Sequence, residues 1–177
     1  MLVSIWRKSA AYPSASSGHR STNETTMDKS EFLFRAYVPT DEAACLKLFD
    51  SNTPKYFGIE ERPSFENFLQ QQPCPFFVVE FQELVIACGG YCQEKTSNSI
   101  VLAWGMVRKD LHRQGVGTFL LLERFKTIFQ ENPAAKVIID TSQHSQSFFA
   151  RFGFKTTKTT PNYYAPGLHR VDMELEL

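Results

Sequence analysis

Hydrophobic positions along the chain fall into short runs that change period at turn residues. Phe32-Leu33-Phe34-Arg35-Ala36-Tyr37, closed by Pro39, reads as a strand over 32–37. Thr40 is placed to cap a helix over 41–49, with Asp41 and Glu42 favourable in its first turn. Asn52-Thr53-Pro54 breaks that helix, and Ser64, just after Pro63, is placed to cap a second one through Leu69 that buries Phe65, Phe68 and Leu69. Strands are predicted over 75–81 and 84–91, separated by Gln82-Glu83 at hairpin spacing, and again over 99–107 after a polar turn. Residues 111–130 read as a glycine loop feeding a helix, with Leu121, Leu122, Phe125, Ile128 and Phe129 at helical spacing. A buried strand at Val137-Ile138-Ile139, a short helix over 145–152 and an alternating strand over 171–177 complete the order. That order predicts one mixed α/β unit over 32–177, with no internal repeat.

Residues 1–29 interrupt this regularity. They are rich in Ser and Thr, carry Arg7, Lys8 and Arg20, and have no acidic residue before Glu24. Without apolar periodicity they read as a disordered extension. Two origins stay open for it: an organellar transit segment, or an upstream start ahead of Met27.

Composition narrows the class. Hydrophobic residues make up 42% and charged residues 21% of 177, with 16 Phe, as in an ordinary globular domain with a phenylalanine-rich core. Lys plus Arg equals Asp plus Glu at 19 each, which argues against a nucleic-acid surface and against a polybasic membrane patch. No apolar run approaches the roughly 20 residues that span a bilayer. Cys45, Cys74, Cys88 and Cys92 form no C-x-x-C pair, and Cys88 and Cys92 fall on one strand face. They read as buried thiols in a reducing compartment, and four dispersed histidines supply no zinc site.

The segment that carries chemistry is Val107-Arg108-Lys109-Asp110-Leu111-His112-Arg113-Gln114-Gly115-Val116-Gly117-Thr118. A strand ends, two glycines follow, and an amphipathic helix begins. Glycine lets backbone approach a ligand closely, and the first helical turn offers unpaired N–H groups at the positive end of the macrodipole. Such a place binds phosphate. A P-loop would need lysine before Thr118, and a dinucleotide fingerprint a third glycine in an initial βαβ unit.

This loop, followed by Phe148-Phe149-Ala150-Arg151-Phe152-Gly153-Phe154 after a buried strand, resembles the two hallmarks of the Gcn5-related N-acetyltransferases (GNAT). The resemblance implies a single mixed, mainly antiparallel sheet flanked by helices, with a splayed central strand pair. It implies acetyl-CoA as cosubstrate, no metal, and pyrophosphate held by the backbone of His112, Arg113, Gln114, Gly115, Val116, Gly117 and Thr118. The pantetheine arm would lie against Met106, Val107, Ser142 and Phe149, with an N–H near Met106 polarising the thioester carbonyl. Three positions depart from the family pattern: His112 replaces Gln or Arg, Ser142 replaces Asn, and Phe149 replaces the tyrosine that protonates the leaving thiolate. Tyr164, in a turn-rich segment over 162–167, is the candidate acid or a wall of the amine pocket. Glu60, Glu61, Glu94 and His169 are weighed as bases, and none is singled out.

The expected reaction is direct transfer to a primary amine in a ternary complex. Neutral charge and the Phe-rich segment over 56–69 point to a small-molecule amine, in the cytoplasm, with no nucleic acid or membrane and with a homodimer left open. The competing expectation is a catalytically silent acyl-CoA sensor.

Overall fold

The computed structural model describes residues 27–94, 97, 99–133 and 135–176. Its seven strands are β1 (Leu33–Ala36), β2 (Phe76–Phe81), β3 (Leu84–Gln93), β4 (Ser99–Val107), β5 (Lys136–Ser142), β6 (Lys155–Ala165) and β7 (Leu168–Leu175). They form one sheet in the order β1-β2-β3-β4-β5-β7-β6. All neighbours are antiparallel except β4 and β5. The helices are α1 (Glu42–Asn52), α2 (Arg62–Gln71), α3 (Val116–Glu131) and α4 (Gln146–Ala150).

Strand alternation divides the core. Val78 and Cys88 join Leu48, Phe49, Phe65 and Leu69 under α1 and α2. Their neighbours Val79 and Ala87 join Val116 and Leu120 of α3 on the other face. The largest cluster lies between α3, α4 and the strands β4, β5 and β7, around Leu121, Phe125, Val137, Phe149 and Met173.

Several elements depart from the sequence pattern for local reasons. Thr40 stays exposed and caps nothing. Instead Asp41, buried, accepts the Val38 N–H at 3.0 Å and binds the Arg35 guanidinium at 2.7 and 3.0 Å, closing a 3-10 turn (Pro39–Asp41) that leads into α1. Helix α2 begins ahead of Pro63, not after it, because proline in a first turn lacks only an N–H that would bond nothing there. Ser64 is therefore inside the helix. The β2–β3 hairpin is tight, with Gln82 (φ 49°) and Glu83 (φ 64°) both left-handed, the conformation that matches strand twist in a two-residue turn.

Strand β6 was not legible. The stretch over 162–167, expected as a turn, puts only Pro166 and Gly167 in the turn, and Tyr164 lies on the strand. Most of β6 is exposed, it pairs with β7 alone, and register shifts interrupt the pairing. An edge strand of this kind has no apolar alternation to read.

At the N-terminal side, order begins earlier than expected. Met27 packs against the cluster around Phe32, and the Asp28 carboxylate accepts the Ser30 N–H at 2.9 Å at the head of a 3-10 turn (Lys29–Glu31). Residues 27–29 thus carry contacts of their own, and the rest of the extension expected over 1–29 lies outside the described residues. The cysteines also split: Cys45 and Cys88 are buried thiols, whereas Cys74 and Cys92 form a disulfide across the β2–β3 pair. A cystine is the opposite of the reduced state expected from composition. The two residues are 18 apart in sequence, and only strand pairing brings them together.

Candidate functional site

The site is a gap in the sheet. β4 pairs with β5 over Ser99–Lys136, Ile100–Val137 and Val101–Ile138, and the described pairing stops there. A bulge in β4 accompanies the separation: Met106 pairs with Cys88 and Ala103 with Gly90, leaving Trp104 and Gly105 opposite Gly89 alone. Trp104 takes a left-handed φ of 49° and turns its indole into the aromatic cluster, 4.9 Å from Phe65. Beneath the bulge lies Arg124 of α3, only 2% exposed, whose Nη1 donates to the Gly90 carbonyl at 3.3 Å. A Cβ on Gly89 would stand 3.1 Å from its Nη1, and one on Gly105 3.2 Å from its Nη2. Burial pushes this guanidinium down to about 10, a sign of how little compensates its charge. Sequence reading missed Arg124, since a polar residue on an amphipathic helix reads as solvent-facing.

Beyond the bulge the Arg108 N–H donates to the Ile86 carbonyl of β3 at 2.9 Å. By strand alternation Met106 also faces β3, so the peptide of Val107 is the one turned toward the gap. The N–H near Met106 that faces the gap is therefore that of Val107. The Val107 carbonyl is already filled by Asn52 Nδ2 at 2.8 Å and His112 Nε2 at 2.9 Å. Since a carbonyl only accepts, Nε2 of His112 carries the proton there. The His112 side chain therefore ties the loop to the end of β4.

The loop follows a 3-10 turn (Lys109–Leu111) with buried Leu111 as anchor. Arg113 (φ 67°) and Gly115 (φ 89°) are left-handed, and Gln114 Nε2 donates to the Asp110 carbonyl at 3.1 Å. This path delivers the chain into α3 at Val116, so the N–H groups of Val116, Gly117 and Thr118 form a first turn without intrahelical partners. A Cβ on Gly117 would meet Phe148 and Val107 at an ordinary 3.6 Å, whereas one on Gly115 would stand 2.7 Å from Lys29 Nζ.

Across the gap, Ser142 ends β5. It is 3% exposed, and its Oγ has no hydrogen-bond partner among the described residues. An orphaned buried hydroxyl fits an absent amide or carbonyl partner. Phe149 is buried, edge-on to Phe148 (5.0 Å) and Phe154 (5.5 Å), and has no proton to give.

The opposite mouth is acidic. Tyr164 donates its hydroxyl to Asp140 Oδ2 at 2.7 Å. Burial first, and the Asp140 charge second, push the phenol well above its ordinary range. Glu61 Oε1 accepts the Gly58 N–H at 2.7 Å, and burial, with Asp140 adding to it, raises the Glu61 carboxyl. Gly58 packs on β6 so closely that a Cβ would lie 2.7 Å from the Tyr164 carbonyl. Asp140 stands two residues beyond the last β4–β5 pair, so these groups meet where the strands part. A groove of about 630 Å³ continues from there, lined among others by Val101, Ile138, Lys158, Arg170 and Asp172. Glu94 lines this groove, while Glu60 is exposed and His169 Nδ1 accepts the Asn162 N–H at 3.0 Å. Sequence missed Asp140, because a lone aspartate at the end of a buried strand carries no motif.

A parted parallel pair, a bulged β4 and a glycine loop that opens α3 with unpaired first-turn N–H groups are the features of an acyl-CoA-dependent transferase. Residues 50–177 match the acetyltransferase (GNAT) domain family, and the chain belongs to it: it is an acetyl-CoA-dependent acetyltransferase. No curated protein matches the chain by sequence. Among solved structures, a GNAT-family protein of Desulfovibrio desulfuricans superposes with a TM-score of 0.71 at 18% identity, over 82% of this chain and 98% of that one. YncA of Salmonella typhimurium, solved with its cofactor acetyl-CoA, gives 0.63 at 14%, over 82% and 94%. The ribosomal-protein-S18-alanine N-acetyltransferase of Escherichia coli gives 0.67 at 16%, over 82% and 93%. At these identities the likeness is one of fold. Among the described residues, no helix is long and apolar enough to cross a membrane.

Proposed function

We propose that the protein moves an acetyl group from acetyl-CoA directly to the primary amine of a small molecule, with both substrates bound together. The observation that carries this reading is the meeting of Glu61, Asp140 and Tyr164 where β4 and β5 part. Two carboxylates beside a phenol suit an ammonium group, which must shed a proton before it attacks, since a lysine-like amine titrates near 10.4.

Acetyl-CoA supplies an activated acyl thioester. The first-turn N–H groups of Val116, Gly117 and Thr118, with the backbone of Arg113, Gln114 and Gly115, hold its pyrophosphate. The Ser142 hydroxyl and the Val107 N–H hold the pantetheine arm, and the latter also suits a carbonyl oxygen gaining charge. Glu61, with its raised carboxyl, accepts the proton of the ammonium. Tyr164, held protonated, supplies one to the departing sulfur, a task Phe149 cannot perform. Phe149 instead walls the cofactor side of the gap.

The test is release of free CoA thiol from acetyl-CoA across a panel of small amines and peptides with free N-termini. Turnover with a small amine and none with peptides is expected. Acetyl-CoA binding without turnover on any amine would replace the reading with the sensor, and turnover on peptides alone would overturn the small-molecule substrate.

A further inference from the structure

We propose that Arg124 of α3 is a positioning residue of the acetyl transfer: held beneath the Trp104–Gly105 bulge of β4, its guanidinium sets a fixed positive charge under the thioester carbonyl, where negative charge grows as the amine attacks. The assignment rests on that carbonyl lying at the Val107 N–H, as in the proposed function.

Three observations carry it. The first is place. A Cβ on Gly89 would stand 3.1 Å from Nη1 of Arg124 and one on Gly105 3.2 Å from Nη2, so the guanidinium fills the room that these two glycines leave. Gly105 is exposed, on the part of β4 beyond its last pair with β5, and stands two residues ahead of Val107. The backbone of one glycine thus separates the buried charge from the open gap. The second is charge balance. Arg124 is 2% exposed, and its hydrogen-bond partners are two carbonyls: Nε donates to Leu120 at 3.4 Å and Nη1 to Gly90 at 3.3 Å. Both are longer than an ordinary N–H···O bond. Among the described residues no carboxylate pairs with it, and the titratable group that bears on it is the Cys88 thiol, which burial keeps protonated and so neutral. The third is cost. A buried guanidinium without a counter-charge burdens the resting fold, and a well-packed apolar side chain carries no such penalty. In the transfer the balance reverses. As the amine nitrogen bonds to the carbonyl carbon, the carbonyl π pair moves onto oxygen, and it returns when the C–S bond breaks and sulfur leaves with that bond's pair. The nitrogen's remaining surplus proton replaces the one that Tyr164 gives to sulfur, so amide and thiol both end neutral. A cation already in place in a dry site stabilises the oxygen's charge without reorganising.

Arg124→Met, Arg124→Gln and Arg124→Lys in the full chain test the assignment. The readouts are thermal melts, calorimetric titration with acetyl-CoA, kcat on the amine that the wild type turns over best, and the infrared carbonyl band of bound acetyl-CoA labelled with carbon-13 at that carbon. The Met variant should melt at or above wild type, bind acetyl-CoA within about threefold, and lose about 10²-fold in kcat, the scale of one electrostatic contact to an oxyanion. Its carbonyl band should lie at higher frequency than in wild type, since a positive charge near oxygen weakens the C=O bond. Lys keeps the charge and should recover kcat to within about tenfold of wild type. Gln can still donate to the Gly90 carbonyl and takes the place of Met should Met not fold. Wild-type kcat or an unmoved band in a folded neutral variant would overturn the proposal, as would a Lys variant as slow as Met. So would a joint fall of melting temperature, affinity and kcat, or failure of both neutral variants to fold, since Arg124 would then serve the fold alone. Failure of the proposed function looks different: the wild type itself would turn over no amine.

Discussion

The Tyr164 hydroxyl is spent on the Asp140 carboxylate at 2.7 Å, across the point where β5 leaves β4. Burial and that negative neighbour raise the phenol, so it is protonated at any pH where the enzyme works. To serve the leaving sulfur it must turn from Asp140. Replacing Tyr164 with Phe should lower kcat by at least about tenfold, the lower end of acid catalysis being greater still, and leave acetyl-CoA affinity unchanged. A Phe variant with the wild-type rate would remove Tyr164 from the chemistry.

Glu61 gives the pH dependence a sign. Its carboxyl is raised from 4.5 mainly by burial, so the folded state holds the proton more tightly than the unfolded chain. The stability linked to that proton is full below about 4.5 and is lost as pH rises through the raised folded value. Glu61→Gln should therefore flatten the stability profile over that window, and be the more stable protein above it. As the proposed base, deprotonated Glu61 should set the acid limb of kcat/KM, and Gln should lower kcat by about 10²-fold or more. Chemical denaturation and rate profiles across pH read both; an acid limb that survives in the Gln variant points to another base.

Gly115 and Gly117 should respond differently to one methyl. Gly115 has φ 89° and the Lys29 ammonium where its Cβ would go, so Gly115→Ala should cost about 1–2 kcal/mol and weaken acetyl-CoA binding about tenfold or more. Gly117 has ordinary contacts at 3.6 Å inside a helical turn, so Gly117→Ala should gain about 0.5–1 kcal/mol with affinity held within about threefold. Thermal melts and calorimetry on the pair separate backbone strain from the cradle; equal behaviour of the two would refute the distinction.

Ser142→Ala should move stability and binding in opposite directions. Its Oγ is buried and unpaired in the unliganded protein, a state that costs about 1–3 kcal/mol, so alanine should leave the melting temperature unchanged or higher. Acetyl-CoA affinity should fall about threefold to tenfold, the value of one neutral hydrogen bond. A drop in melting temperature together with unchanged affinity would mean that the hydroxyl serves the fold.

Local features can be read from the amino-acid order alone. The Gly115-x-Gly117 step into an apolar-striped helix, the Gln82-Glu83 hairpin, the β4 span and the two family hallmarks are written in adjacent residues. Hydrophobic period and turn chemistry act over a few positions, so they can be read without knowing what packs on them. Other features are set by partners distant in the chain and emerge on folding. Strand β6 exists because β7 pairs with it, the Cys74–Cys92 bond because two strands align, and the buried Arg124 because Gly89 and Gly105 leave room beneath a bulge. The meeting of Glu61, Asp140 and Tyr164 is the fullest case. Glu61 comes from the turn before α2, Asp140 from the end of β5 and Tyr164 from an edge strand, and none has a motif of its own. Their raised carboxyl and phenol come from burial and mutual charge, quantities that no stretch of sequence contains and that appear only when the three elements close on one gap.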